Sequence, residues 1–239
     1  MNATRLFLPV VCLALFLAID SSTLSATPQD TAPDNASTPS YAGQPLSTWI
    51  EMLSAHLGKE AKEDRDRCQQ AARAIGQIGP PAVAAVPLLV DAIGATSVDV
   101  RRPAIDALGR IGPGARDAVP AIIEEMDLPK DHVNYAPLAN FRRLAARALG
   151  RIGPDAAQAI PVLKKALENE DPLYRVEAAL ALWRIAQDPE TVPTLEAVVQ
   201  QDDAEAAYEA VMAIGELGEA GRAAIGTLVA TLKHPVPDV

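Results

Sequence analysis

The string AIGQIGP at 74–80 returns as ALGRIGP at 107–113 and 148–154, and in looser form as ALWRIAQ at 181–187 and AIGELGE at 213–219. Its leading alanines, Ala74, Ala107, Ala148, Ala181 and Ala213, stand 33, 41, 33 and 32 residues apart. Self-similarity at such a period means a stack of small units, none able to bury its apolar face alone. A second marker trails each string: Val86-Pro87, Val119-Pro120, Ile160-Pro161 and Val192-Pro193, with Ile225-Gly226 in the last copy.

Each unit reads as two helices. Val100, Ala104, Ala107, Leu108 and Ile111 recur at three- and four-residue steps, an apolar stripe over about 100–111. Gly112-Pro113 ends that helix, because glycine suits the position after a helix and proline cannot continue it. The next helix runs over about 114–126, where Pro120 predicts a kink or a late start. Strand signals are absent. The expected fold is all-α, a right-handed solenoid of stacked antiparallel helix pairs over 45–239, five pairs plus a final helix.

These units resemble HEAT repeats, in particular the short variety also called PBS-lyase-like. The resemblance rests on the Ala-x-x-Ala-Leu-Gly-x-Ile-Gly helix, the proline in the following helix, and the openings Asp99-Val100-Arg101 and Asp171-Pro172-Leu173-Tyr174-Arg175, with Arg142 at the matching place in the third unit. GQPLSTWIEML at 43–53 is similar to the first helix of exported bacterial members. The sequence departs from the pattern at Cys68 and Ala207, which replace the repeat arginine, and at Trp183, which replaces a glycine. It departs again in an eight-residue lengthening around 127–141. The resemblance implies a protein-interaction scaffold rather than an enzyme. Its family name also suggests an alternative, an accessory lyase or chaperone for a cofactor-bearing protein.

In HEAT-like stacks the second helix of each pair lines the concave side. Outward positions on these helices, spaced i, i+4, i+8, are Gln69, Arg73, Gln77; Arg102, Asp106, Arg110; Arg143, Arg147, Arg151; Val176, Leu180, Arg184; and Tyr208, Met212, Glu216. Arginines thus line a row that ends in apolar residues. Arginine binds carboxylate bidentately, so the expected partner is an extended or acidic protein segment, one with carboxylates and an apolar end. Arg110, Arg151 and Arg184 also suit the negative ends of their helices, and Arg101, Arg142 and Arg175 are expected to pair with carboxylates in the turns. Lys130, His132 and Tyr135 in the lengthened loop form a second candidate site. Cys68 falls on a core-facing position and reads as a buried thiol.

Composition narrows the chemistry. With 21 Lys and Arg against 31 Asp and Glu, the formal charge is -10, the wrong sign for a general nucleic-acid binder. Two cysteines and three scattered histidines leave no metal set, and no phosphate loop or nucleophile elbow is present. No cofactor is expected. Residues 1–26 read as an export signal. Arg5 precedes a 14-residue apolar run from Leu6 to Ile19, short of the ~20 a membrane helix needs, and small residues allow cleavage near 25–26. Without cleavage the segment would tether the chain to the membrane. Residues 27–44 read as a proline-, serine- and threonine-rich tether. The expected location is the periplasm or the cell exterior. The final helix, 221–232, matches the first helix of a further unit and would leave Ile225, Leu228, Val229 and Leu232 to self-association or to a continuing array.

Overall fold

A computed structural model describes residues 38–127, 135–224 and 226, with 135–140 described by backbone alone. The export signal, the tether up to residue 37, Lys130, His132, the Tyr135 side chain, and Ile225, Leu228, Val229 and Leu232 lie outside the described residues. The described residues divide into two compact units, one ending at Asp188 and the other beginning at Pro189.

The first unit holds four helix pairs: α1 (Leu46–His56) with α2 (Lys62–Ile78), α3 (Val86–Ile93) with α4 (Val98–Ile111), α5 (Val119–Asp127) with α6 (Tyr135–Ile152), and α7 (Ile160–Ala166) with α8 (Pro172–Ala186). α2, α4, α6 and α8 pack side by side in sequence, and α1, α3, α5 and α7 form the other layer. The second unit holds α9 (Thr191–Val199) packed on α10 (Ala204–Glu216), followed by a 3-10 turn, Ala220–Ala224.

The repeated alanine and glycine explain the close layer of second helices. A Cβ on Gly76 would lie 3.0 Å from the Cα of Ala107; on Gly109, 2.8 Å from that of Ala148; on Gly150, 2.9 Å from that of Ala181. Each helix therefore seats its glycine on the next helix's alanine, an approach that no side chain permits. Trp183 stands at the fourth position in this series in place of glycine. Behind the ladder, Leu108, Ile111, Leu149, Ile152, Leu163 and Leu182 are fully buried in one cluster running from Trp49 to Ile185. Each such side chain contributes about 1.5–3 kcal/mol through burial.

The Gly-Pro marker acts through backbone geometry. Gly79, Gly112 and Gly153 have φ of 72°, 73° and 79°. A 3-10 stretch carries the proline after each in its first turn: Pro80–Ala85, Gly112–Ala118 and Gly153–Ala159. The α-helix then starts at Val86, Val119 or Ile160, with proline second, where its missing N–H leaves no bond unmade. The kink and late start expected from Pro120 are thus one feature, a 3-10 segment leading into a short α-helix.

The sequence carried no strand signal, yet two short strands, β1 (Ser40–Tyr41) and β2 (Gln44–Pro45), pair antiparallel. Ala42 and Gly43 form their turn with φ of 52° and 75°, the consecutive positive values of a type I′ turn. The Leu46 amide then donates to the Pro39 carbonyl at 2.8 Å, tying this hairpin to the start of α1.

Candidate functional site

The outward row on α2, α4 and α6 is formed as spaced. Arg73 and Gln77 on α2, Arg102 and Arg110 on α4, and Arg147 and Arg151 on α6 are exposed, with Asp106 and Arg143 half-buried. Most of the arginines are engaged within the protein. Asp106 accepts from Arg110 Nε at 2.7 Å, one turn away, and from Arg151 Nη1 at 3.3 Å on the neighbouring second helix. Arg147 donates through Nε to Glu177 of α8 at 2.8 Å and through Nη2 to the same oxygen. Arg143 lies 3.7 Å from the carboxylate of Asp171, which also caps α8 by accepting from the amides of Leu173 and Tyr174.

The Arg147–Glu177 and Arg151–Asp106 bridges join neighbouring second helices, 30 and 45 residues apart, so the row helps hold the stack together. It nevertheless keeps an excess of positive charge. Its nine outward positions hold six arginines, Arg73, Arg102, Arg110, Arg143, Arg147 and Arg151, and one acid, Asp106, in a chain of net charge -10. Among the described residues Arg73 and Arg102 make no ion pair.

The apolar continuation fails on α8. Val176 is 2% exposed and Leu180 9%, so neither offers an outward contact. Ala178, Ala179, Ala181, Leu182 and Ile185 of α8 are buried as well, while Arg175 and Glu177 are half-buried. Arg184 is half-buried. On α10, in the other unit, Tyr208 and Met212 are 37% and 43% exposed.

One repeat arginine pairs with a helix carboxylate and another with a backbone carbonyl. Arg101 donates to Glu125 on α5, and its guanidinium lies 5.2 Å from the centre of the Phe141 ring. Arg175 donates to the backbone carbonyl of Asn169 at 2.6 Å. Arg142 is 9% exposed.

The row-based reading misses one cleft of about 560 Å³, formed by the α1–α2 and α3–α4 loops and lined by His56, Lys59, Glu60, Arg65, Thr96 and Ser97 among others. Its walls come from loops some forty residues apart, which periodicity does not bring together. His56 Nδ1 is 2.5 Å from Asp64, and Arg67 lies 3.2 Å from Nε2. Cys68 borders the cleft but is buried, and desolvation, with Asp64 nearby, pushes its thiol up. Among the described residues, no group of three or more His, Cys, Asp or Glu converges as a metal site, and no helix is long and apolar enough to cross a membrane.

The HEAT-repeat family matches residues 50–136 and 133–210. The complex of CpcE and CpcF of phycocyanin lyase from Nostoc sp. PCC7120 is similar in structure at a TM-score of 0.50 and 21% identity, over 86% of this chain and 85% of that one. An engineered protein aligns at a TM-score of 0.49 and 22% identity, over 80% of this chain and 90% of that one. No curated protein matches the sequence. The glycine-on-alanine ladder, the Gly-Pro breaks and the two family matches agree, and the chain belongs to the HEAT-repeat family.

Proposed function

We propose that the chain is a noncatalytic protein-binding module of the cell envelope or exterior, and that it takes an extended, acidic partner segment along the row of α2, α4 and α6. One observation carries this reading: the row's excess positive charge, with Arg73 and Arg102 exposed and in no ion pair among the described residues. Guanidinium groups in such a row take carboxylates bidentately and set register along an extended chain. The export setting rests on residues 1–26 and is tested by sequencing the N-terminus of the protein recovered from the exported fraction of a bacterial host. The likeness to the phycocyanin lyase subunits is one of fold and lends no cofactor chemistry here.

The test of the partner is a pull-down from that exported fraction with wild type beside Arg73→Glu/Arg102→Glu. These two side chains hold nothing else in place, so the variant keeps its fold, checked by circular dichroism. Loss of a retained protein in the variant supports the row. Retention by both proteins removes the row as the binding site. Reversing Arg143, Arg147 and Arg151 is the poorer test, because it also breaks the bridges to Asp171, Glu177 and Asp106.

A further inference from the structure

The second compact unit has an electrostatic character opposite to that of the arginine row. Between Pro189 and Gly221 the chain carries eight Asp and Glu and no Lys or Arg. α6 and α10 are both second helices of their pairs, yet they differ in kind. α6 has four arginines and no acid, whereas α10 has Glu205, Glu209 and Glu216 and no base.

The outer face of α10 is not merely a solvated acidic surface. Glu205, Tyr208, Glu209, Met212 and Glu216 are the exposed large side chains of the helix, and at ~100° per residue they fall within an arc of about 100°. Ala206, Ala210, Val211, Ala213 and Ile214 are buried on the other side. Tyr208 and Met212, one turn apart, are two of the four large apolar side chains exposed among the described residues. An apolar pair set among carboxylates has the arrangement of an interface, with a dewetted centre and a charged rim. Tyrosine and methionine suit that centre, the first rigid and amphipathic, the second adaptable.

We propose that this face of α10 is a second docking surface, for a cationic amphipathic segment of a partner protein. The segment's apolar side chains cover Tyr208 and Met212 while its lysines or arginines meet Glu205 and Glu209. Charge complementarity selects this occupant. A second copy of the same face would set like charges opposite one another, and an acidic segment would meet the same repulsion. The proposal rests on the reading of the chain as a protein-binding module, but on a separate surface and with a partner of opposite charge.

The experiment uses the full chain and two fluorescein-labelled helical peptides. One carries leucines on one face and lysines and arginines on the other; its counterpart has glutamates in place of the cations. Anisotropy titrations are run on wild type, Tyr208→Ser/Met212→Ser, Glu205→Lys/Glu209→Lys and Arg73→Glu/Arg102→Glu, each checked for native circular dichroism. The cationic peptide is expected to bind wild type and to lose about tenfold or more in affinity with either α10 variant. The loss from the lysine variant shrinks at high salt, where exposed charges are screened. The Arg73→Glu/Arg102→Glu variant leaves cationic binding intact. Equal binding of the cationic peptide to wild type and both α10 variants, or no binding at all, overturns the proposal. If the glutamate peptide binds through Arg73 and Arg102 while the cationic peptide does not bind, the arginine-row reading stands and this inference falls. The reverse pattern supports this inference and removes the row.

Discussion

Gly112 ends α4 with φ 73° and ψ -138°, a region that essentially only glycine occupies without strain. The fourth copy of the repeat has no glycine there. Gln187 ends α8 instead, with φ 51° and ψ 44°. A side chain in that left-handed conformation costs about 1 kcal/mol or somewhat more. Gln187→Gly is therefore expected to raise stability by up to about 1 kcal/mol, the relief of strain exceeding glycine's added entropy in the unfolded chain. A urea titration with an unchanged slope and a higher midpoint would bear this out. Tyr174 carries a pH dependence. Burial, the largest cause, with Asp127 and Asp171 adding to it and Arg142 opposing, pushes its phenol from 10.0 up to about 12. Below pH 10 the phenol is protonated in both folded and unfolded chains, so the full stability is present. As pH rises from 10 towards 12 the unfolded chain releases the proton first, and about 2–3 kcal/mol is lost across that window. Tyr174→Phe should flatten the alkaline fall of stability over those pH values, whatever it does at neutral pH. An unchanged alkaline slope would mean that the buried phenol is not its source.

Between elements, glycine's role depends on what it faces. A Cβ on Gly109 would sit 2.8 Å from the Cα of Ala148, so Gly109→Ala forces α4 and α6 apart and is expected to cost about 1–3 kcal/mol. Gly215 in α10 has nothing within 4 Å of its Cβ position, and Gly215→Ala is expected to gain about 0.5–1 kcal/mol from helix propensity. Opposite signs for one substitution, measured by thermal unfolding, would separate the packed ladder from its sequence motif. Asp106 tests the bridges. Its pairs with Arg110 and Arg151 are a third or more exposed, so Asp106→Asn should cost under about 1 kcal/mol. The same change leaves the row more positive, and an acidic peptide should bind the variant more tightly than wild type if the row is its site. The ladder was legible in the sequence because Ala and Gly recur at fixed places within each unit. The second-helix row was legible for α2, α4 and α6, where polar and apolar faces are distinct. It misplaced Leu180 because α8 is mostly apolar, with only Arg175, Glu177 and Arg184 to mark a polar side. The bridges from Arg147 to Glu177 and from Arg151 to Asp106 were not legible, since the stagger of neighbouring helices decides them and packing sets that stagger. The hairpin at 40–45 escaped because its turn is Ala42-Gly43, without the Asn-Gly or Asp-Gly pair that marks such turns.

At the scale of the molecule, the division after Asp188 has a thermodynamic consequence. The first unit buries one continuous cluster from Trp49 to Ile185, and its four pairs are joined by the glycine ladder and the arginine bridges. The described part of the second unit offers two α-helices, of 9 and 13 residues, and one 3-10 turn. Among the described residues its large buried side chains are Leu195, Val198, Val199, Val211, Ile214 and Leu217, fewer than those of the first unit. Repeat arrays unfold as one only while the terms between neighbouring repeats outweigh differences in the repeats' own stabilities. The first unit has the larger described core, so the second unit should unfold at a lower urea concentration than the first. The chain supplies its own reporters for this. Both of its tryptophans, Trp49 and Trp183, belong to the first unit, so indole fluorescence follows that unit directly, while far-ultraviolet circular dichroism follows the helices of both. The dichroism is expected to lose part of its amplitude before the fluorescence changes, and Gly215→Ala, acting only in α10, should move that early phase and leave the fluorescence midpoint where it was. Coincident curves, shifted together by Gly215→Ala, would show instead that the array is one cooperative unit and that the boundary at Asp188 carries no energetic weight.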